Sequence, residues 1–323
     1  MNALIVHAHP EPQSFSSALA RTAAAALEES GHRVKLIDLY KDGFDPVSDR
    51  RNFQTVSDAD YFKQQAEEVH ATKQSGFVPE LDQAMTELEQ ADLLVFSFPL
   101  WWFGMPAILK GWVDRVFASG RIYGGPKLYE NGVGGGTSRA MVLMTSGGGE
   151  HAYSGFGVNP SLKAILDPIE HGVFWFNGFQ PLDPFVAWSP ARISQDEREA
   201  YLGELARRME GVFDEKPRQL APLEDFPNFG LDTKRRFLAI VRRAKEFPLD
   251  TPELLDGELP VLHELRRSGR LLSFEWSAPE SPDWRGALVL RGDSEAEVTS
   301  WLDSMPLAPF LEFDVSPLAS PGM

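Results

Sequence analysis

Short apolar runs alternate with amphipathic segments over the first two thirds of the chain. Residues 3–9 (ALIVHAH) form a continuous apolar run, which is typical of a strand buried on both faces. Four more such runs predict strands, and between them apolar residues recur at intervals of three and four. The predicted strands are 3–9, 34–40, 92–98, 140–146 and 181–188, and the predicted helices are 15–31, 80–90, 106–118, 161–175 and 194–213. Strands that alternate with helices indicate a doubly wound α/β layer with a mostly parallel sheet.

The helix predicted at 106–118 follows an unusual aromatic segment, FPLWWFGM. Pro106 is expected at the first helical position, where the missing backbone N–H costs nothing. One face of this helix is apolar and is expected to pack against the sheet. The apolar face comprises Leu109, Trp112, Val113, Val116 and Phe117.

A second pattern begins after a stretch without periodicity. Residues 214–232 gain proline and acidic residues, which predicts a linker or an arm that wraps a neighbour. Beyond it the predicted strands are 237–244, 271–276, 286–292 and 310–315, and the predicted helices are 254–269 and 295–305. The order βαββαβ predicts a ferredoxin-like α+β unit with an antiparallel sheet. Two domains are therefore expected, at residues 1–230 and 235–323.

Composition narrows the possible partners and compartments. The net charge of −16 over 323 residues argues against a nucleic-acid partner, because clustered Lys and Arg bind a phosphate backbone. The absence of cysteine excludes disulfides, thiolate metal sites and Cys nucleophiles. No apolar run approaches the ~18 residues of a membrane span, and the start MNALIVHAHPE lacks the basic leader of a signal peptide. A cytoplasmic protein without membrane insertion is expected, and no metal site is predicted.

Three segments with complementary chemistry follow the first, third and fourth strands. Ligands bind outside the carboxyl ends of the strands in open parallel sheets, so these segments are expected to converge. HPEPQSFS enters a helix amino terminus, which attracts phosphate, and His9, Ser14 and Ser16 add donors. PLWWFG offers aromatic faces to a planar ring, and the glycines of TSGGGEHAYSGFGVN allow close approach to a ring edge. A phosphate cradle beside a flat aromatic slot predicts a bound flavin nucleotide.

Each of these residues also has a structural interpretation. His7 is expected to be structural, whereas His9 lies directly before the phosphate loop and is favoured as a binding residue. Ser14 is also suited to act as a helix cap, which would aim the same N–H groups at the ligand. The run Trp101, Trp102 and Phe103 is favoured as a ring-binding wall, because three consecutive aromatic residues are unusual between a strand and a helix.

The first part of the chain resembles the NAD(P)H:quinone oxidoreductase (DT-diaphorase) family over roughly residues 1–230. The resemblance lies in ALIVHAHPEPQSFS, FPLWWFGMPAILKGWVDRVF, MTSGGGEHAYS and ILDPIEHGVFWFNGFQPL. It implies a flavodoxin-like fold, a homodimer with the active site at the subunit interface, and tightly bound FAD rather than FMN. It also implies two-electron, ping-pong reduction of a quinone-like acceptor, with NAD(P)H as co-substrate.

The resemblance also implies roles for particular residues. It places one group at the FAD diphosphate, a second against the isoalloxazine and a third along its polar edge. These groups are His9, Ser14, Phe15 and Ser16, then Pro99, Leu100, Trp102 and Phe103, and then Thr145, Ser146, Gly147 and Gly148. Tyr153 falls at the position of the family's catalytic tyrosine. Asn159 stands where animal members carry a histidine, and Asn cannot become cationic, so His151 is a possible substitute.

The last part of the chain resembles the muconolactone isomerase family within the dimeric α+β barrel group. The resemblance covers residues 237–318 and is most specific in GDSEAEVTSWLDSMPLAPFLEFDVSPL. Candidate acids or bases are His263, Glu264 and Glu275, although a fused unit of this kind also suits oligomerisation or a wall of the neighbouring pocket.

Three alternatives to the quinone reductase remain open. An azo- or nitroreductase would use the same site with a different acceptor. A nucleotide-sensing ancillary subunit of a transporter would bind flavin without turnover. A bifunctional enzyme of aromatic catabolism would add isomerase-type chemistry in the second domain.

Overall fold

The computed structural model describes residues 1–218, 220, 235–244, 252–278, 281 and 283–318, with only the backbone of 252–256 and 259. The chain divides into two compact units, Met1–Arg218 and Gln219–Met323. The predicted linker, 214–232, spans this division, and its residues 219 and 221–232 lie outside the described part.

The first unit is a parallel sheet with helices on both faces, as the sequence predicts. Its strands are β1 (Asn2–His7), β2 (Arg33–Asp38), β3 (Leu93–Pro99), β4 (Arg139–Ser146), β5 (Gln180–Pro181) and β6 (Phe185–Trp188). The order is β2-β1-β3-β4-β5, with β6 also paired to β4. The fifth predicted strand is split in two, because Pro181 and Pro184 have no backbone N–H to donate to a ladder.

Six helices cover the sheet in the described part of this unit. They are α1 (Phe15–Glu29), α2 (Gln64–Gln74), α3 (Pro79–Glu89), α4 (Ala107–Val116), α5 (Leu162–Ile169) and α6 (Gln195–Glu210). One core lies between the sheet and α1 and α6, and a larger core lies on the opposite face under α3, α4 and α5. The apolar face predicted for α4 is buried throughout, although Pro106 is the residue before the helix and not its first residue.

Two helical features differ from the sequence prediction. Helix α2 was not predicted, because the side it buries carries Glu67 and Glu68 besides Ala71 and so shows no apolar stripe. Helix α5 ends earlier than predicted and continues as a π-helical turn, Glu170–Phe174. Pro168 lies inside α5 and has no N–H for the i−4 carbonyl, which accounts for the change of helical pitch.

The second unit has the predicted βαββαβ order. It comprises β7 (Arg235–Arg243), α7 (Pro252–Arg267), β8 (Leu271–Trp276), β9 (Arg285–Gly292), α8 (Glu295–Asp303) and β10 (Leu311–Leu318). The sheet is antiparallel with the order β10-β7-β9-β8. Its core joins Phe237 and Val241 of β7 to Leu262 of α7 and Leu302 of α8. No helix in the described residues is long and apolar enough to cross a membrane.

Candidate functional site

The sheet order brings the three predicted loops to one edge. Strands β1, β3 and β4 are adjacent and parallel, so the segments that follow them leave the sheet side by side. His7 is paired with Ser97 near the end of β1, and Pro99 is paired with Thr145 near the end of β3. The rings of His9 and Trp101 lie 6.1 Å apart, so the first loop contacts the second. The convergence expected from the sequence is therefore present.

The loop after β1 is fixed by its own hydrogen bonds. The Glu11 N–H donates to His9 Nδ1 at 3.0 Å, which turns the half-buried His9 ring toward its own loop. Ser14 is the N-cap of α1, and its hydroxyl oxygen accepts from the Ser17 N–H at 3.1 Å. The next hydroxyl, Ser16 Oγ, is buried and has no hydrogen-bond partner among the described residues. Phe15 points away from this loop, toward the ring of Tyr201 at 6.4 Å.

The segment after β3 forms a tight turn with two aromatic residues at its tip. Trp101 and Gly104 exchange backbone hydrogen bonds of 3.1 and 3.0 Å, which closes a two-residue loop. Trp102 and Phe103 occupy its central positions with φ of 51° and 59°. Left-handed backbone is unfavourable for large side chains and occurs mainly where function requires it. Leu100 anchors the turn, because its N–H donates to the Thr145 carbonyl at 2.8 Å.

The aromatic side chains of this turn do not fill the protein core. The exposed fractions are 39% for Trp101, 98% for Trp102 and 46% for Phe103. Residues of this size are rarely so exposed without a binding partner. This turn therefore presents apolar rings to solvent at the edge of the sheet.

The end of β4 supplies buried polar groups and bare backbone. Thr145 and Ser146 are buried, and Ser146 Oγ accepts from the Gly148 N–H at 3.2 Å. A Cβ on Gly147 would meet no protein atom within 4 Å, so this backbone faces open space. A Cβ on Gly148 would lie 2.9 Å from Tyr153 Cε2, so glycine is needed there for the tyrosine ring to approach.

Tyr153 is held between two aromatic residues from different strand ends. Its ring lies 6.4 Å from the Phe103 ring and 5.4 Å from the Trp188 ring. Trp188 ends β6 beside Ser146 of β4, so it belongs to the same sheet edge. It was missed as a site residue, although its place at the end of a predicted strand follows the rule that identified the other loops.

The other two predicted catalytic residues lie further along this loop. The exposed His151 ring packs beside Gly149, where a Cβ would lie 3.1 Å from His151 Nδ1. The Asn159 N–H donates to the Ala152 carbonyl at 3.0 Å and closes the loop at its base. No hydrogen bond joins the Asn159 side chain to Tyr153 in the described part of the chain, so these two predicted partners are separate here.

A buried histidine lies beneath the phosphate-side loop. His7 contacts Ser97 Oγ through Nδ1 and Ser17 Oγ through Nε2, each at 3.0 Å. Burial lowers the pKa of His7 to about 4, so the imidazole is neutral at physiological pH. This burial agrees with the expectation that His7 does not touch a ligand.

The candidate acids and bases of the second unit lie at its surface. His263, Glu264 and Glu275 are all exposed, and Glu264 forms a surface ion pair with Arg267 at 2.5 Å. No hydrogen bond joins any two of these three side chains in the described part of the chain.

A cavity of about 350 Å³ lies elsewhere in the first unit, lined in part by Gln64, Glu68 and Phe176. None of the predicted site residues lines it. The candidate site is instead the set of loops that follow β1, β3 and β4 at the sheet edge.

The chemistry of these loops fits a flavin nucleotide. The buried, unpartnered Ser16 Oγ beside the amino terminus of α1 matches a phosphate oxygen. The open backbone at Gly147 and the exposed Trp102 ring match the edge and face of a planar ring system. Polar donors at one end and rings at the other are the chemistry that a phosphorylated aromatic cofactor requires.

Comparison with known proteins supports the same conclusion. Residues 1–210 match the family of flavodoxin-like fold. NAD(P)H dehydrogenase (quinone) 1 of Cavia porcellus is 38% identical over 221 residues, which cover 68% of this chain and 80% of that protein. Ribosyldihydronicotinamide dehydrogenase (quinone) of Homo sapiens is 34% identical over 215 residues, which cover 66% and 93%.

A solved structure is similar over the same share of the chain. A Klebsiella pneumoniae protein assigned as a quinone reductase has a TM-score of 0.65 and 32% identity, covering 68% of this chain and 88% of that one. The family match ends at residue 210, so it covers the first unit and not the second. The chain therefore belongs to the flavodoxin-like family that contains NAD(P)H dehydrogenase (quinone) 1.

Proposed function

We propose that the protein is an FAD-dependent NAD(P)H oxidoreductase that reduces quinones or related electrophiles by two-electron, ping-pong hydride transfer. The observation that carries this proposal is the contact of Tyr153 with Phe103, which sets a phenol beside the exposed aromatic turn. The names of the relatives, which are quinone dehydrogenases of NAD(P)H or ribosyldihydronicotinamide, support the reaction class.

Three sets of residues would hold the cofactor. His9, Ser16 and the amino terminus of α1, which Ser14 caps, would bind the diphosphate, with Phe15 contributing its backbone. Pro99, Leu100, Trp101, Trp102 and Phe103 would line the ring face, and Thr145, Ser146, Gly147 and Gly148 would line its polar edge. The bound flavin would supply the capacity to accept and donate hydride, and the protein would supply orientation and electrostatics.

Tyr153 would serve as the hydrogen-bond donor toward negative charge that develops during the reaction. Its ring lies between Phe103 and Trp188, which holds the phenol oxygen in place. Asn159 and His151 are the further candidates for this role, and neither side chain is hydrogen-bonded to Tyr153 among the described residues.

We propose a homodimer that completes the site. Phe156 and Val158, in the loop after β4, have exposed fractions of 105% and 93%. Burial of these two side chains against a second copy would stabilise the dimer and cover the loop that carries Tyr153.

We propose a ferredoxin-like, muconolactone isomerase-like fold for the second unit and a role in assembly. The βαββαβ order and the β10-β7-β9-β8 sheet support the fold. The exposure of His263, Glu264 and Glu275 favours assembly over catalysis. A chain that lacks residues 235–323 is expected to keep quinone reductase activity and lose higher assembly, as measured by light scattering.

The test of the enzymatic function is NADPH or NADH oxidation by the purified protein with menadione as acceptor. Initial rates that give parallel double-reciprocal plots support the proposed mechanism. Flavin that stays bound without turnover would instead identify a nucleotide sensor. If the protein reduces an azo dye faster than menadione, its acceptor is an azo compound and not a quinone, and the proposed site is the same.

A further inference from the structure

The hydrogen bonds around His7 define its tautomer. The Ser17 hydroxyl donates to the Glu11 carbonyl at 2.9 Å, so its single proton is already used. Ser17 Oγ must therefore accept the 3.0 Å contact from His7 Nε2, which carries the imidazole proton. Nδ1 is then the acceptor, and the Ser97 hydroxyl donates to it at 3.0 Å. The imidazole thus connects β1 to both α1 and β3.

Ser17 is the junction of the loop after β1. Its hydroxyl oxygen accepts from His7 and from the Ser14 hydroxyl at 2.9 Å, and its N–H donates to Ser14 Oγ. Its proton reaches the carbonyl of Glu11. The first turn of α1 is therefore tied at Ser17 to two residues of the loop, Glu11 and Ser14, and among the described residues only the His7 contact comes from outside the loop and helix.

We propose that His7 is a positioning residue for the flavin phosphate, because its hydrogen bond to Ser17 fixes that residue and with it the loop from His9 to Ser14. This inference rests on the proposed function. His7 does not touch the ligand; it acts through the hydroxyl of Ser17.

The hydrogen bonds of this loop give Ser14, Ser16 and Ser17 different roles. The hydroxyl protons of Ser14 and Ser17 are used inside the loop. Ser16 Oγ is buried and has no partner among the described residues, so its proton is the one left for a phosphate oxygen. Rotation of the first turn of α1 would move Ser16 together with Ser17. Fixing Ser17 therefore fixes the donor that the ligand needs.

Burial keeps the His7 imidazole neutral, and therefore in this role, at physiological pH. Burial dominates and lowers its pKa to about 4, Asp38 opposes the shift, and His9 and Arg21 reinforce it. His7 therefore contributes no positive charge to phosphate binding. Its effect must come from hydrogen-bond geometry, which distinguishes it from a cationic phosphate ligand.

Two amide substitutions separate the two contacts of the ring. In His7→Gln the side-chain nitrogen lies at the same bond distance from Cα as Nε2 and retains the donor toward Ser17. In His7→Asn the amide lies at the position of Nδ1 and reaches only Ser97. The experiment measures the dissociation constants of the refolded or deflavinated full-length chain for FAD, FMN and riboflavin, together with the thermal midpoint of each apoprotein.

We expect His7→Asn to weaken FMN and FAD binding about tenfold, the effect of one lost hydrogen bond, with riboflavin affinity unchanged. His7→Gln should keep the wild-type ratio of FMN to riboflavin affinity. If His7→Asn fails to fold, Ser17→Ala removes the same acceptor and should give the same selective loss. Equal losses for FMN and riboflavin, or an unchanged ratio in His7→Asn and Ser17→Ala, would overturn the inference. Wild-type protein that binds none of the three flavins would overturn the proposed function as well.

Discussion

The turn at Trp102 allows a direct test of whether the aromatic rim serves a ligand. Two-residue loops that close on paired hydrogen bonds with positive φ at both centres favour Asn and Gly. Trp102 adopts φ of 51° in such a loop, and its side chain is 98% exposed. Trp102→Asn therefore removes backbone strain and loses almost no buried surface. We expect this substitution to stabilise the apoprotein and to weaken flavin binding.

The magnitude follows from the conformation. A left-handed backbone costs a large side chain roughly 1–2 kcal/mol, and asparagine tolerates it better. The expected gain is about 1 kcal/mol, which corresponds to a rise of about 2–4 °C in the thermal midpoint of a unit of this size. Loss of one aromatic contact with the flavin ring is worth about 0.5–1.5 kcal/mol, so the dissociation constant should rise roughly 2- to 12-fold.

The assay combines thermal unfolding of the apoprotein with fluorescence titration of FAD. Ser75→Asn is the matched control, because Ser75 is exposed, has φ of 51° and caps the end of α2. It should raise the thermal midpoint by a similar amount without changing FAD affinity. Unchanged FAD affinity in Trp102→Asn would refute the ring-binding role of Trp102, and a lower thermal midpoint would refute the strain.

Other substitutions test Tyr153, the two glycines near it and one buried carboxylate. Tyr153→Phe should lower menadione turnover roughly a hundredfold while FAD stays bound, because a preorganised donor toward developing charge is lost. Gly148→Ala should lower turnover by displacing the Tyr153 ring, whereas Gly147→Ala should keep the thermal midpoint and weaken FAD binding, since its methyl group meets no protein atom. Burial raises the pKa of Glu170, and the Arg218 guanidinium at 2.5 Å opposes that rise. Arg218→Met should therefore raise the pKa of Glu170 further and lower the free energy of unfolding by about 1–3 kcal/mol near pH 8. This loss is smaller than for a fully buried ion pair, because Arg218 is partly exposed. Because a raised carboxyl pKa makes stability fall as pH rises, the loss of unfolding free energy in the variant, measured with urea, should be smaller near pH 5 than near pH 8.

The architecture was predictable where buried apolar residues recur at a regular spacing in the sequence. Residues 3–8 and the apolar face of α4 are buried, so the spacing of their apolar residues predicts their position directly. The apolar pattern is missing in α2, which buries Glu67 against the N–H groups of Ser57 and Asp58. Tertiary hydrogen bonds of this kind leave no signal in hydrophobic spacing. Pro168 predicts an irregularity in the helix, but it does not predict that the helix continues as a π-helical turn.

The candidate site was predictable in its location more than in its contacts. The rule that ligands bind at the carboxyl ends of parallel strands predicts that the loops of His9, Trp101 and Tyr153 converge. In the structure the His9 ring lies beside Trp101, and the Tyr153 ring lies beside Phe103 of the same turn. The positive φ of Trp102 and Phe103 and the contact of Tyr153 with Trp188 depend on how loops close in space. The link from His7 to Ser17 likewise depends on the register between β1 and α1, which apolar spacing does not encode.

The central claim is that the rim of the first unit holds a phosphorylated flavin. The most direct measurement is the visible absorption spectrum of the purified protein, followed by chromatographic identification of the cofactor released on denaturation. We predict a yellow protein that releases FAD in a stoichiometry near one per chain and binds it again on renaturation. A colourless protein that takes up neither FAD nor FMN would contradict the account.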